Sequence, residues 1–100
     1  MPENLLTENE MIGVLIDIHM AESALTQKNF NRDTAVFLFS MYEQEIFKNR
    51  HTTKQQFKDS YEYYSKHSVE IDRMYAIVVD SLKDREIRAQ NKVAKDSVRH

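Results

Sequence analysis

A chain of 100 residues and 11.9 kDa, 41% apolar and 30% charged with a net charge of −2, has room for one domain around one modest core. That balance excludes intrinsic disorder, and the sequence lacks the run of ~18 apolar residues that a membrane span needs. Gly13 is the sole glycine and there is no cysteine, which excludes phosphate loops, dinucleotide-binding turns, EF-hands, disulfides, thiolate metal sites and thiol nucleophiles.

Helices follow from the spacing of apolar residues. Met11, Leu15, Ile18, Glu22 and Leu25 form a broad stripe with Ile12, Ile16 and His19 beside it, and Thr7 with Glu10 is a capping box, so the first helix is predicted over about residues 8–27. A polar stretch through Asn31 interrupts the pattern, and Asp33 is expected to cap a second helix of about 34–49, apolar on more than one side from Ala35 to Phe39. Thr53 and Gln56 read as a second capping box, opening a helix of about 54–66 with Phe57, Tyr61 and Tyr64 on its inner face. A tight turn at Lys66-His67-Ser68, with Ser68 as N-cap, leads into a fourth helix striped by Ile71, Met74, Tyr75, Val78 and Leu82. Phe39, Tyr42, Phe57, Tyr61, Met74 and Val78 are expected to meet in one core. After Leu82 the composition turns basic: residues 83–100 hold six Lys/Arg against three Asp/Glu, a local +3 that leaves −5 on residues 1–82. The expected architecture is all-α: a domain of two antiparallel hairpins over 1–82, with the last helix extended as a charged segment over 83–100.

Pro2-Glu3-Asn4-Leu5-Leu6, Met11 and Asp17-Ile18-His19-Met20-Ala21-Glu22 resemble the opening of a family of small Bacteroidota proteins, domain of unknown function 4296. Tyr42-Glu43, Ile46-Phe47-Lys48, Phe57-x-x-Ser60-x-x-Tyr63-Tyr64, His67 through Ile71, Met74-Tyr75 and Leu82 continue the likeness over about residues 2–82. At the third turn the family pattern has proline after the histidine where this chain has Ser68, and serine caps a helix as well as proline opens one. The resemblance implies a signal peptide and a lipobox cysteine in a leader outside these residues, and hence a lipid-anchored, periplasm-facing protein of the cell envelope. On that reading Met1-Pro2 is an expression start. No catalytic or binding residues come with the resemblance.

Two His-x-x-Glu pairs invite a metal reading. Di-metal bundles use the opposite order, Glu-x-x-His, with further glutamates from facing helices, and the sequence offers neither. Glu70 serves the positive end of the fourth helix, with His67 in the turn. His19 shares the apolar stripe of the first helix, so it is read as a largely buried structural histidine in a polar site with Glu22. The competing reading is a metal-binding or enzymatic helical bundle centred on His19 and Glu22. No serine sits in a glycine-flanked elbow, and catalytic residues are not expected. The five tyrosines and five phenylalanines at helical spacing read as core, with Tyr63 off the inner face and so a candidate partner contact.

In the basic segment Ile87, Ala94 and Val98 form a thin apolar line, a second candidate contact for a protein partner or another copy. With interleaved acids and no aromatic residue, the segment does not suit nucleic acid. The expectation is a non-catalytic interaction or structural module without cofactors, and the resemblance implies that it touches membrane only through a lipid anchor.

Overall fold

Thr7 and Glu10 reciprocate as a capping box, the Thr7 Oγ1 accepting from the Glu10 N–H (3.2 Å) and the Glu10 carboxylate from the Thr7 N–H (2.9 Å), and so open α1 (Glu8–Gln27). The Thr7 N–H bond to the ionised carboxylate, with the Thr7 hydroxyl assisting, holds Glu10 below its ordinary pKa. The cap of α2 (Arg32–Asn49) is Asn31 rather than Asp33, because Asn31 Oδ1 already accepts the Thr34 N–H at 2.8 Å. Thr53 caps α3 (Lys54–Ser65), but only half of the expected box forms: the Gln56 side chain takes the Thr52 hydroxyl instead. α4 (Ser68–Val98) begins one residue early, with the His67 carbonyl accepting the first helical bond from Ile71, so Ser68 is inside the helix rather than its cap. The computed structural model describes residues 4–98, with side chains through residue 92, and no strand occurs among the described residues.

Positive φ at Asn29 (58°) and His51 (56°) ends the first two helices. At His51 the bonds His51 N–H to Lys48 O and Thr52 N–H to Phe47 O make a Schellman motif, which turns the chain into α3 without glycine.

Residues 8–49 and 54–98 each fold back as an antiparallel helical hairpin, with α4 running on. The hairpins are joined through α1 and α4, and these two helices run parallel: Arg73 meets Glu8, and the same distance further along both helices Arg85 meets Met20. α1 is therefore the central helix, with α2 on one side and α4 on the other. The molecule is elongated, 56 × 32 × 22 Å, and its 16.1 Å radius of gyration exceeds the ~13 Å of a compact chain of this length.

The core lies at the end where α1 begins. Leu6, Met11, Val14, Leu15, Phe47, Tyr64, Met74 and Val78 are buried there. Leu6 is pinned by α3: the Ser60 hydroxyl accepts its N–H (2.9 Å) and donates to the Gln56 carbonyl (2.7 Å), while the Tyr64 hydroxyl donates to the Leu6 carbonyl (2.8 Å). These bonds satisfy the buried Ser60 and both polar groups of Leu6.

The expected core is partly corrected. Met74 and Val78 are fully enclosed, and Phe57 is half-buried against Phe47, ring centroids 5.5 Å apart. Tyr42 and Tyr61 are nearly half exposed, and Phe39 lies at the far end beside Leu25. The cause is the length and placement of α3. It covers the beginning of α1 and leaves α2 with α1 as its principal neighbour, so a wide apolar surface on α2 has no helix to bury it.

Candidate functional site

His19 does not sit in the core. Its side chain is 41% exposed, and its Nδ1 lies 4.0 Å from the Glu22 carboxylate, beyond hydrogen-bond reach. It departs from the expected buried, bonded position because α3 does not extend along the second half of α1, where only Leu25 is buried. What His19 does meet is the Tyr75 ring, edge-on at 6.5 Å. Tyr75 and Tyr61 share a hydroxyl–hydroxyl hydrogen bond of 3.1 Å. Burial, then the bond to Tyr61 and the negative charge of Glu22, push the Tyr75 phenol up to about 12. The result is a small polar cluster joining α1, α3 and α4, with Glu22 largely exposed at its rim. Among the described residues no three His, Asp or Glu gather as a metal-holding group.

Tyr63 occupies a more distinctive place. Its ring stacks on His67 (centroids 4.4 Å apart) and meets Tyr64 edge-on (5.2 Å). The His67 Nδ1–H donates to the Tyr63 carbonyl at 2.8 Å, which holds the imidazole against the ring and leaves Nε2 as the outward nitrogen. Tyr63 forms the wall between two shallow grooves. One, of about 430 Å³, brings Glu8 and Asn9 of α1 together with His67 and Glu70; the other, of about 320 Å³, lies between Leu5, Glu62 and Lys66. Three helix ends thus meet around one half-buried aromatic side chain. The buried Tyr64 behind it has its phenol pushed up, chiefly by loss of water.

A further arrangement escaped the sequence reading. Arg50, the C-cap of α2, lays its guanidinium over Gly13 and grips Asp17 with Nε (2.8 Å) and Nη2 (3.2 Å). A Cβ at Gly13 would stand 2.6 Å from Arg50 Nη1, so the glycine is where the α1 backbone yields space to the clamp. The Asp17 bonds raise the Arg50 pKa further. The sole glycine in a helix interior was the available signal, although its partner, 37 positions further along, could not be named from spacing.

In the extension, Ile87 is 55% exposed, and Asp84 and Arg88 form the i,i+4 pair their spacing suggests, at 3.0 Å. Ile87 is placed on the side of α4 away from Met74 and Val78, since thirteen helical positions separate it from Met74. The side chains of Ala94 and Val98 lie outside the described residues. No described helix is long and apolar enough to cross a membrane.

No curated protein and no solved structure matches the chain significantly. The model of one family, described as a domain of unknown function (DUF4296), matches residues 2–88, passing through the Leu6 anchor, the Asp17–Arg50 clamp and Tyr63 and ending just after Ile87. Because that match takes in most of the chain, the protein belongs to the DUF4296 family.

Proposed function

We propose that the protein is a non-catalytic interaction or structural module of a cell-envelope lipoprotein, facing the periplasm and held to the membrane by a lipid anchor in a leader. The observation that carries the module reading is the amount of apolar surface the fold leaves uncovered. Val36, Phe37, Met41, Val69, Val79 and Ile87 are all about half exposed or more. Apolar surface of this kind marks places where another molecule docks.

Tyr63 and Ile87 are the contacts assigned to a protein partner, with Ala94 and Val98 continuing the line along α4. The +3 of residues 83–100 draws an acidic partner, and the apolar side chains supply the greater part of the affinity, since exposed ion pairs add only ~0–1 kcal/mol each. The envelope placement is supported by the resemblance of residues 2–82 to the Bacteroidota proteins.

Capture from native-host envelope extract tests the module reading. The full-length anchored protein should retain a partner that its Ile87→Glu and Tyr63→Ala variants release, and retention unchanged by both would remove these contacts. Stoichiometric zinc or iron in the purified protein would instead favour a metal-binding bundle centred on His19 and Glu22. Metabolic labelling of the native host with a fatty-acid analogue should mark the protein, and an unlabelled, soluble product would defeat the anchor.

A further inference from the structure

The outward face of α2 is not used by the fold. Asp33, Phe37, Ser40, Met41, Gln44 and Lys48 recur at intervals of four, three, one, three and four, which places them on one side of the helix, and all six are exposed. Phe37 is 64% and Met41 54% exposed, beside Val36 at 62%. The helix packs on α1 through other positions, among them half-buried Ala35, Phe39 and Ile46. Two large apolar side chains at the centre of a face, with an acid at its first turn and a base at its last, make a pattern that is complementary to its own reverse.

We propose that this face is the contact between two copies of the chain, related by a two-fold axis passing between Ser40 and Met41, so that α2 packs antiparallel on the α2 of the second copy. The inference deepens the reading of the protein as an interaction module and rests on it. About that axis Asp33 falls opposite Lys48, Phe37 opposite Gln44, and Ser40 opposite Met41, in each case with the roles exchanged on the other side. Asp33 and Lys48 form no ion pair within the chain among the described residues, so both charges are free to pair across the axis. The two helix dipoles run in opposition, which adds to the attraction. Ser40 is small, so the helices approach closely at the crossing while Met41 fills the space beside it. A second copy is the occupant this face fits, because one surface supplies the acid, the base and the apolar centre in mirror order. A standard interface takes ~800 Å² from each partner. A single helix pair uses less than that, so the association belongs to the micromolar range.

Sedimentation equilibrium of the full chain, from about 10 μM to about 1 mM, should show a monomer–dimer equilibrium. Phe37→Glu should weaken it about thirtyfold or more while leaving helicity and melting unchanged, since that side chain is 64% exposed and outside the core cluster. Asp33→Lys and Lys48→Asp alone should each weaken it several-fold by setting like charges against each other, and the double reversal should restore it. Ile87→Glu, which disturbs the contact assigned to other partners, should leave the dimer intact. A chain that stays monomeric throughout overturns the proposal and passes this face to a different partner, without touching the capture result that tests the module reading. A dimer indifferent to Phe37→Glu, or one the double reversal fails to restore, overturns it as well.

Discussion

The two ends of α1 live in different surroundings. From Met11 to Ile16 the helix is flanked by α3, α4 and the last turn of α2, and Met11, Val14, Leu15 and Ile16 are buried; beyond Ile16 only Leu25 is buried, and His19, Met20 and Glu22 reach the surface. The stripe of apolar residues runs the whole length of the helix, so amphipathicity does not by itself decide enclosure. What differs is the number of neighbours: α3 has 12 residues where α1 has 20, and it lies against the first end. One end of α1 is therefore closely packed, and the other leaves apolar surface in contact with water.

The sharpest way to break this contrast is to truncate one residue at each end. Met74→Ala should cost about 2–5 kcal/mol, because Met74 is fully enclosed and its removal leaves a cavity. Phe37→Ala should change stability by no more than about 0.5 kcal/mol despite removing the larger side chain. Chemical denaturation of the two variants decides it, and comparable losses would mean that α2 is covered within the monomer.

Ser60→Ala tests whether the packed end depends on the anchoring of Leu6. It should cost about 1–3 kcal/mol by leaving the Leu6 N–H buried without a partner. A variant melting with the parent would show that water replaces the hydroxyl.

The clamp between α1 and α2 is a smaller effect. A double-mutant cycle on Asp17→Asn and Arg50→Gln should give a coupling of about 0.5–1 kcal/mol, as expected for a bidentate pair near the surface. In a Gly13→Ala background that coupling should vanish, because the new methyl displaces the guanidinium. Gly13→Ala alone should be nearly neutral, since its ~1 kcal/mol gain in helix propensity offsets the lost clamp. A coupling that survives the methyl would show that Arg50 grips Asp17 from another direction.

At the looser end, His19→Ala should cost less than about 1 kcal/mol, in keeping with a half-exposed ring. A larger loss in denaturation would restore His19 to the core. The Tyr75 phenol there gives a signature in pH. Its folded pKa of about 12 stands above the ordinary 10, so the folded form keeps the proton that the unfolded form gives up. The resulting stability is fully present below pH 10 and is lost as pH rises towards 12. Tyr75→Phe should flatten part of that alkaline slope in denaturation curves, the buried Tyr64 retaining some of it. An unchanged slope would place the titration elsewhere.

Local chemistry made most of the helices readable. The Thr7–Glu10 box and the periodicity after it set α1 at the predicted bounds, and the all-α class and paired hairpins followed from breakers that separate four amphipathic segments. Where several polar residues compete within one turn the reading slipped by a residue or two, with Asn31 taking the role expected of Asp33 and Ser68 entering the helix it was expected to cap. Of the clamp only Gly13 stood out, as the sole glycine, and Tyr64 was legible as an inward residue of α3. The pairings of Arg50 with Asp17 and of Leu6 with Ser60 and Tyr64 were not legible, since they span 33 to 58 positions and depend on how helices are set side by side.

Sequence alone determined, to within a residue or two, where the first three helices begin and end and which stripe of each is apolar, because caps and periodicity act within a few residues. Only the tertiary structure decided that α1 and α4 run parallel, that α3 shields one end of α1, and that His19, Tyr42 and Phe37 remain in contact with water. An apolar stripe states a demand for burial, and whether that demand is met depends on the length and placement of neighbouring helices. Those are properties of the packed chain, and no single segment contains them.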